Sequence, residues 1–295
     1  MDLMNQFLKT SPSVLGFLTR LSVGPKPDFP EIFATGFFVD SSGVAATNRH
    51  VIDAFARLPV HPDTGEFPLA AVLFLPGDDH KSWQMLLVDV TAWVALEEFS
   101  SSDTWYGQKL PDIGFVQLGV REVPALKLAT EDFYLKIGME VATIGYPMGT
   151  VPLTALGKLN QVTPLIRRGI VSSVFPFPTE LPHGFTMDIM QQGGSSGSPV
   201  LRIADGVVVG MMSSGVPEWK CARSGDASFT YSLNTNISIA EPAHIIQKAL
   251  DGLRRTRPMN AGSLPTLAEL RARYPKPEGS TELAWDTLIR RKPTL

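Results

Sequence analysis

The chain has 295 residues, a length that suits one large β unit or two small domains. Hydrophobic residues make up 44% and charged residues 19%, which is typical of a globular protein with a large core and excludes a disordered chain. The 26 basic and 29 acidic residues give a net charge of −3, so no excess of cations is present to neutralise nucleic-acid phosphates. We therefore expect no nucleic-acid partner.

The compartment is indicated by one cysteine and by the start of the chain. Cys221 has no second cysteine to pair with, so an internal disulfide is excluded, which indicates a reducing compartment or a fold that needs no disulfides. Asp2 stands where a secretory signal carries basic residues, and no long apolar core follows it. The longest apolar stretch, residues 67–76, is too short to cross a bilayer. We expect a cytoplasmic protein with no membrane partner.

Short β-rich runs, each bounded by Gly, Pro, Ser or Asp, follow one another along most of the chain. Many short strands separated by turns are typical of an all-β barrel or sandwich. The runs cover residues 31–40, 69–75, 83–90, 112–119, 140–147, 168–175, 199–203, 206–214 and 229–237.

Helical periodicity begins only at Glu241. Pro242 suits a first helical turn, and apolar residues from Ile245 to Leu253 share one face. The sequence therefore predicts a helix here, after the last β run.

The composition changes again over residues 251–295, which carry nine basic and five acidic side chains. Thr266 and Glu269 have the spacing of a capping box, and Ser280 is placed to cap a second helix that ends in Arg and Lys. We expect a short, partly helical tail. It is either packed against the rest of the protein, which we favour, or a partner-binding segment.

Residues 193–199 read Gly-Gly-Ser-Ser-Gly-Ser-Pro between two β runs. Glycines that closely flank serines are typical of a serine held on a sharp turn, which can also direct backbone N–H groups into one pocket. An acyl-transfer enzyme needs both features, as nucleophile and oxyanion hole. The alternative is an ordinary Gly/Ser-rich hairpin loop.

Two further residues point to the same chemistry. His50 follows a predicted hairpin, at a strand end next to a short helical turn, where its ring can project into a cleft. Asp112 lies at the start of an otherwise apolar strand, so we expect its carboxylate to be partly buried and to need a partner. An imidazole N–H is a suitable partner.

Together these segments resemble the trypsin-like (chymotrypsin-fold) serine peptidases, and most of all the disulfide-free bacterial branch that includes the HtrA-type proteases. The likeness is carried by ATGFFVD, TNRHV, PDIGFVQL, VATIGYPMG, RRGIVSSV and GGSSGSPVL, and it extends from about Phe17 to Leu250. The order His, Asp, Ser is that of the family. The resemblance implies a double antiparallel β-barrel with the catalytic cleft between the barrels.

The resemblance also assigns roles. It implies that Ser196 is the nucleophile, His50 the general base and Asp112 the carboxylate that orients it. The backbone N–H groups of Gly194 and Ser196 are expected to form the oxyanion hole. The implied domains are residues 1–135 with the first barrel, 136–250 with the second barrel and the helix, and 251–295 as a basic extension. The resemblance implies a protein or peptide as the substrate.

One position departs from the family pattern. Ser195 stands where digestive relatives have an aspartate that pairs with a newly released amino terminus. Activation by trimming the N-terminus is therefore not expected. Either the oxyanion loop is ordered by itself, or an activating protein partner orders it.

The specificity pocket follows from the same resemblance. Met190, six residues before the nucleophile, corresponds to the pocket base, and Ser213, Ser214 and Gly215 correspond to the wall that pairs with substrate backbone. A methionine favours an uncharged, apolar substrate side chain. The open alternatives are that Met190 only packs in the core, and that Glu218 or Asp226 selects a basic side chain.

Other classes of function remain as alternatives. Ser195 in Gly-x-Ser-x-Gly also fits the nucleophile elbow of an α/β-hydrolase esterase, but Pro199 and a strand follow it, and the one late histidine is His244. A catalytically silent pseudo-protease that acts as a binding module is a third possibility, and a latent protease switched on through residues 251–295 is a fourth. The histidines are scattered without ligand spacing, so neither a metal nor another cofactor is expected.

Overall fold

The fold is described from a computed structural model. The structure describes residues 3–19, 32–58, 60, 68–76, 83–99, 110–149, 163–224, 227–256 and 262–273.

Two six-stranded antiparallel barrels, each closed on itself, make up the described part of the chain. In the first barrel the strand order is β1-β2-β3-β6-β5-β4, and β4 pairs with β1 to close the ring. Apolar side chains fill its interior because strand residues alternate between the two faces of a sheet. Its strands are β1 (Val14–Thr19), β2 (Ile32–Asp40), β3 (Val44–Thr47), β4 (Leu69–Pro76), β5 (Trp83–Ala95) and β6 (Gly114–Leu118).

The second barrel has the order β10-β11-β12-β9-β8-β7, closed by the pairing of β7 with β10. One hydrophobic cluster contains buried residues of both barrels, among them Phe37 and Val200, so the barrels share a core where they meet. The strands are β7 (Glu140–Gly145), β8 (Leu165–Phe175), β9 (Gly184–Met187), β10 (Pro199–Arg202), β11 (Val208–Ser224) and β12 (Ala227–Pro242).

Four helices accompany the barrels in the described residues: α1 (Leu3–Thr10), α2 (Arg49–Phe55), α3 (Ala243–Thr256) and α4 (Leu267–Arg273). In this part of the chain, no helix combines the length and the apolar character that crossing a bilayer requires.

The structure confirms the all-β double barrel and the C-terminal helix. The nine β runs predicted from sequence all lie on observed strands, and the helix predicted from Glu241 is α3, which begins two residues later. Helix α1 and strands β1 and β9 were not predicted. The run predicted over residues 206–214 is too short, because β11 continues to Ser224.

The extra length of β11 forms an arm with β12. From Pro217↔Asn234 to Ser224↔Ala227 the two strands pair only with each other. Trp219 and Phe229 lie on this arm with 68% and 53% of their surfaces exposed. The arm begins immediately after Ser213–Gly215, so it continues the strand expected to pair with substrate.

Residues 262–273 of the tail pack against the first barrel. The capping box is confirmed, since Glu269 Oε2 accepts the N–H of Thr266 at 2.8 Å and Thr266 Oγ1 accepts the N–H of Glu269 at 3.1 Å. The N–H of Leu267 donates to the carbonyl of Arg121 at 2.9 Å, and the N–H of Arg121 donates to Pro265 at 2.9 Å. The helix predicted from Ser280 lies outside the described residues.

Candidate active site

The position of His50 is set by helix α2. Asn48 precedes the helix in an extended conformation, and Val51, Ile52 and Phe55 turn into the first barrel, so His50 is left on the outer side of the first turn. A methyl group at Gly114 would lie 2.4 Å from Ile52 Cγ1, so only glycine on β6 lets the helix pack this closely. This close packing brings α2 against the residues that precede β6.

Asp112 holds His50 at two points. Its Oδ1 accepts the backbone N–H of His50 at 3.0 Å, and its Oδ2 lies 2.7 Å from His50 Nδ1. The side chain of Asp112 is 14% exposed, whereas that of His50 is 51% exposed. A carboxylate can only accept, so in the neutral ring Nδ1 carries the proton and Nε2 keeps a free lone pair. The structure therefore brings together the first two residues of the predicted triad.

Asp112 is itself fixed by two neighbours. Asn48 Nδ2 donates to the carbonyl of Asp112 at 2.9 Å, and Glu241 Oε1, from β12 of the second barrel, accepts the N–H of Asp112 at 3.2 Å. Burial raises the pKa of Glu241 to about 7, and the nearby charge of Asp112 acts in the same direction. A carboxyl group of the second barrel thus bonds to the backbone of Asp112.

The loop that carries Ser196 is held by Thr35 of β2, across the barrel interface. The N–H of Thr35 donates to the carbonyl of Ser196 at 2.9 Å. Its hydroxyl donates to the carbonyl of Gly194 at 2.7 Å and accepts the N–H of Tyr146 at 3.0 Å. Thr35 is completely buried, so all of these bonds form away from water, where an unmade bond is costly.

The same loop turns two backbone N–H groups in a defined direction. Gly194 has φ +87°, and a methyl group there would lie 2.2 Å from the carbonyl oxygen of Tyr146. The carbonyl of Gly193 accepts the N–H of Met148, and in a trans peptide the next N–H, that of Gly194, points the opposite way. Within the described residues neither Gly194 N–H nor Ser196 N–H has an acceptor. Both are available to a ligand oxygen.

Ser196 Oγ is hydrogen-bonded to an amide that sequence reasoning did not consider. Gln191 Nε2 donates to Ser196 Oγ at 3.2 Å and to the carbonyl of Ser213 at 3.1 Å. The side chain of Gln191 also lies beside Gly215, where a methyl group would come within 3.2 Å of its Oε1. Among the described residues, no hydrogen bond joins Ser196 to His50. Gln191 thus lies between the nucleophile loop and the strand Ser213–Gly215.

Of the predicted pocket residues, Ser213 and Gly215 lie next to this amide. Met190 is half-buried, and its carbonyl accepts a hydrogen bond from Arg167 of β8. Ser213 is buried on β11, with its hydroxyl donating to the carbonyl of Ile239 at 3.3 Å. Ser214 and Gly215 follow on the same strand. Their assignment to a specificity pocket stays a prediction.

Of the two carboxylates considered for basic specificity, Glu218 is not part of this group. Glu218 lies exposed on the arm and pairs with Lys220 at 3.4 Å. Asp226 lies outside the described residues. Nor do the described residues contain a group of three or more His, Cys, Asp or Glu side chains arranged to hold a metal ion.

The α/β-hydrolase interpretation is wrong. Its nucleophile, Ser195, is completely buried, with its Oγ accepting from Arg167 Nη2 at 3.1 Å and from the N–H of Gln192 at 3.4 Å. The loop leads into strand β10 of an antiparallel barrel, whereas an elbow leads into a helix over a parallel sheet. Burial lowers the pKa of His244, the histidine that this interpretation needs, to about 4.

Four residues around the site were missed, and each left a weak signal in the sequence. Thr35 is a hydroxyl in an apolar strand, and Glu241 is a carboxyl in the apolar run before α3. Arg167 is a cation within a β run, and Gln191 is an amide five residues before Ser196. A polar group in an apolar segment requires a buried partner. The sequence alone does not say which partner.

The sequence pattern of the trypsin-like peptidase domain matches residues 34–211 of this chain. That span is more than half of the chain and contains His50, Asp112 and Ser196. The chain is a trypsin-like serine peptidase. This peptidase matches none of the curated proteins.

Solved structures of HtrA-type proteases share the fold of this peptidase. AlgW with a decapeptide is similar with a TM-score of 0.53 and 14% identity, over 86% of this chain and 68% of that chain. AlgW with a tripeptide is similar with a TM-score of 0.50 and 14% identity, over 86% of this chain and 64% of that chain. At this identity the likeness shows the double-barrel fold alone.

Proposed function

We propose that this peptidase is an endopeptidase that cleaves peptide bonds of a protein substrate through an acyl-enzyme on Ser196. His50 is its general base, and Asp112 orients the imidazole. The N–H groups of Gly194 and Ser196 form the oxyanion hole. The pocket bounded by Met190 and by Ser213, Ser214 and Gly215 receives an uncharged, apolar side chain.

The observation that carries this proposal is the two-point contact between Asp112 and His50. One carboxylate oxygen takes the backbone N–H at 3.0 Å while the other faces Nδ1 at 2.7 Å, so both the tautomer and the ring orientation are fixed. A structural ion pair does not need this second contact to the backbone. A general base does, because its Nε2 has to meet the nucleophile in one orientation.

The chemistry proceeds in two half-reactions. His50 Nε2 takes the proton of Ser196 Oγ as the oxygen attacks the substrate carbonyl carbon, and the Gly194 and Ser196 N–H groups bind the oxyanion. The intermediate collapses as His50 gives its proton to the leaving amine, which breaks the C–N bond. Water, deprotonated by His50, then attacks the acyl carbon, and the intermediate collapses as His50 returns the proton to Ser196 Oγ, which releases the carboxyl product and free Ser196.

The free enzyme is restrained by Gln191. Its amide occupies the Ser196 hydroxyl and the carbonyl of Ser213, two groups that substrate needs. A substrate must displace this amide, so poorly matched peptides are cleaved slowly. This restraint supports a protease that is selective or is activated by a protein partner, in preference to a silent scaffold.

Two further observations bear on substrate and compartment. The structures of AlgW with similar fold contain a decapeptide and a tripeptide, which supports a peptide chain as the ligand of this cleft. The one cysteine of the sequence supports a reducing compartment, and we place the protein in the cytoplasm.

The proposal is tested by intact-mass spectrometry after treatment with a fluorophosphonate. We expect one stoichiometric adduct on the wild type and none on the Ser196→Ala variant. Ser195→Ala is the matched control at the neighbouring hydroxyl, and on long incubation it should reach the same one-to-one adduct, whatever its rate of labelling. An adduct that persists in Ser196→Ala would refute the assignment of the nucleophile. So would the absence of any adduct on both the folded wild type and the folded Gln191→Ala variant.

A further inference from the structure

Arg167 is a half-buried cation next to the nucleophile loop that the proposed chemistry does not use. It lies on β8, and its guanidinium points to the loop between β9 and β10. Nη2 donates to Ser195 Oγ at 3.1 Å, and Nη1 donates to the carbonyl of Met190. Burial lowers the pKa of this guanidinium. Within the described residues, no carboxylate lies within ion-pair distance of it.

A buried guanidinium without a counter-ion is unfavourable unless its donors are used. Here two nitrogens bond to two neutral acceptors that lie five residues apart in sequence, one at each end of residues 190–195. The fork of the guanidinium reaches both acceptors at once, which a single ammonium group does not match. Arg167 therefore closes the loop segment 190–195 at its base.

The segment that Arg167 closes contains two residues with wide backbone freedom. It contains Gly193, where a methyl group would meet nothing within 4 Å, and Gly194 at φ +87°. Two adjacent glycines place little steric restraint on the peptide between them, whose carbonyl bonds to the N–H of Met148. Rotation of the 193–194 peptide by half a turn would direct its carbonyl, in place of the Gly194 N–H, towards the oxyanion position.

We propose that Arg167 is a positioning residue that holds segment 190–195 in the conformation in which the Gly194 N–H faces the substrate carbonyl. Met190 and Ser195 are its two anchor points. This inference rests on the proposed function of Ser196 and the oxyanion hole. It explains how the loop is ordered although Ser195 stands where digestive relatives have an aspartate. The cation that binds the loop is Arg167 of strand β8, and its partners are a hydroxyl and a carbonyl.

The test compares Arg167→Met with Arg168→Met. Arg168 is the next residue on β8, is 55% exposed and pairs with Glu140, so its loss removes a charge from the same strand without touching the loop. Hydrogen exchange of the amides in residues 190–196 is measured by mass spectrometry. We expect at least tenfold faster exchange in Arg167→Met, and wild-type exchange in Arg168→Met and in strand β7 of both variants.

A kinetic measurement separates positioning from mere structure. The rate of fluorophosphonate labelling of Ser196 is measured against reagent concentration, giving kinact and KI. We expect kinact to fall at least tenfold in Arg167→Met with KI little changed, and millimolar guanidinium to restore part of the rate. A change confined to KI, or a selective loss of cleavage after acidic residues, would instead make Arg167 a substrate-binding residue and overturn the inference.

The two proposals fail in different ways. If the wild type is never labelled, the proposed function fails, and the exchange measurement still decides the role of Arg167. If labelling is normal but exchange in residues 190–196 is unchanged in Arg167→Met, only the positioning role fails. Should Arg167→Met not fold, Ser195→Ala removes one anchor while keeping the guanidinium. It is then expected to accelerate exchange in the same segment, and wild-type exchange there would overturn the inference.

Discussion

Glu241 makes the stability of the fold depend on pH in a direction that can be worked out. Burial raises the pKa of its carboxyl from 4.5 to about 7 in the folded chain. Because the folded state holds this proton more tightly than the unfolded state, the stability it contributes is complete below pH 4.5 and is lost as the pH rises through about 7. A pKa difference of about 2.5 units corresponds to about 3 kcal/mol.

The substitution Glu241→Gln removes this titration while keeping the shape of the side chain and the oxygen that accepts the N–H of Asp112. We expect the wild type to lose about 2.5 kcal/mol relative to the variant between pH 5 and pH 8.5, since most of the titration falls in that window. Urea unfolding followed by tryptophan fluorescence at several pH values gives the free energies to compare.

Glu140→Gln is the matched control. Glu140 is a surface carboxylate, 55% exposed, that pairs with Arg168, and its loss should leave the pH dependence of the wild type in place. If Glu241→Gln and the wild type instead lose stability in parallel from pH 5 to pH 8.5, the argument from burial is refuted. If the variant loses more than the wild type, the sign of the argument is wrong.

Two further substitutions test the residues that hold the nucleophile loop. Gln191→Ala frees Ser196 Oγ and the carbonyl of Ser213. Since one hydrogen bond is worth about 0.5–1.5 kcal/mol, we expect fluorophosphonate labelling to become about two- to tenfold faster. Labelling slower than that of the wild type would mean that the amide assists catalysis. Thr35→Val keeps the side-chain shape but leaves buried groups such as the carbonyl of Gly194 unpaired, so we expect a loss of about 1–3 kcal/mol in urea unfolding together with slower labelling. Wild-type values for both quantities would contradict the role given to Thr35.

Sequence reasoning found the features that depend on residues close together in the chain. His50, Asp112 and Ser196 each stand in a short motif whose residue types follow from the chemistry, and Thr266 and Glu269 form the capping box that their spacing predicts. The β runs were found because turn residues separate them. These features depend on neighbours in the chain, so a single sequence contains them.

The features that were missed depend on which segments meet in space. Thr35 and Gly194 are 159 residues apart, and Glu241 and Asp112 are 129 residues apart, so nothing in the local sequence joins them. The run predicted over residues 206–214 ended too early because Pro217 and charged residues follow, which ordinarily mark a turn. Pairing with β12 outweighs that local preference. Helix α1 is only eight residues long, too short for its periodicity to stand out.

The contact of Thr35 with the loop of Ser196 also sets a time order for synthesis. A ribosome that adds about 5–20 residues per second needs about 8–30 seconds to pass from Thr35 to Gly194, which lies 159 residues later. The first barrel can close during that interval, but the loop cannot take its final shape until the second barrel docks onto Thr35. A nascent chain that lacks the second barrel therefore has no complete active site. Proteolytic activity is expected only after the second barrel has been synthesised and has docked.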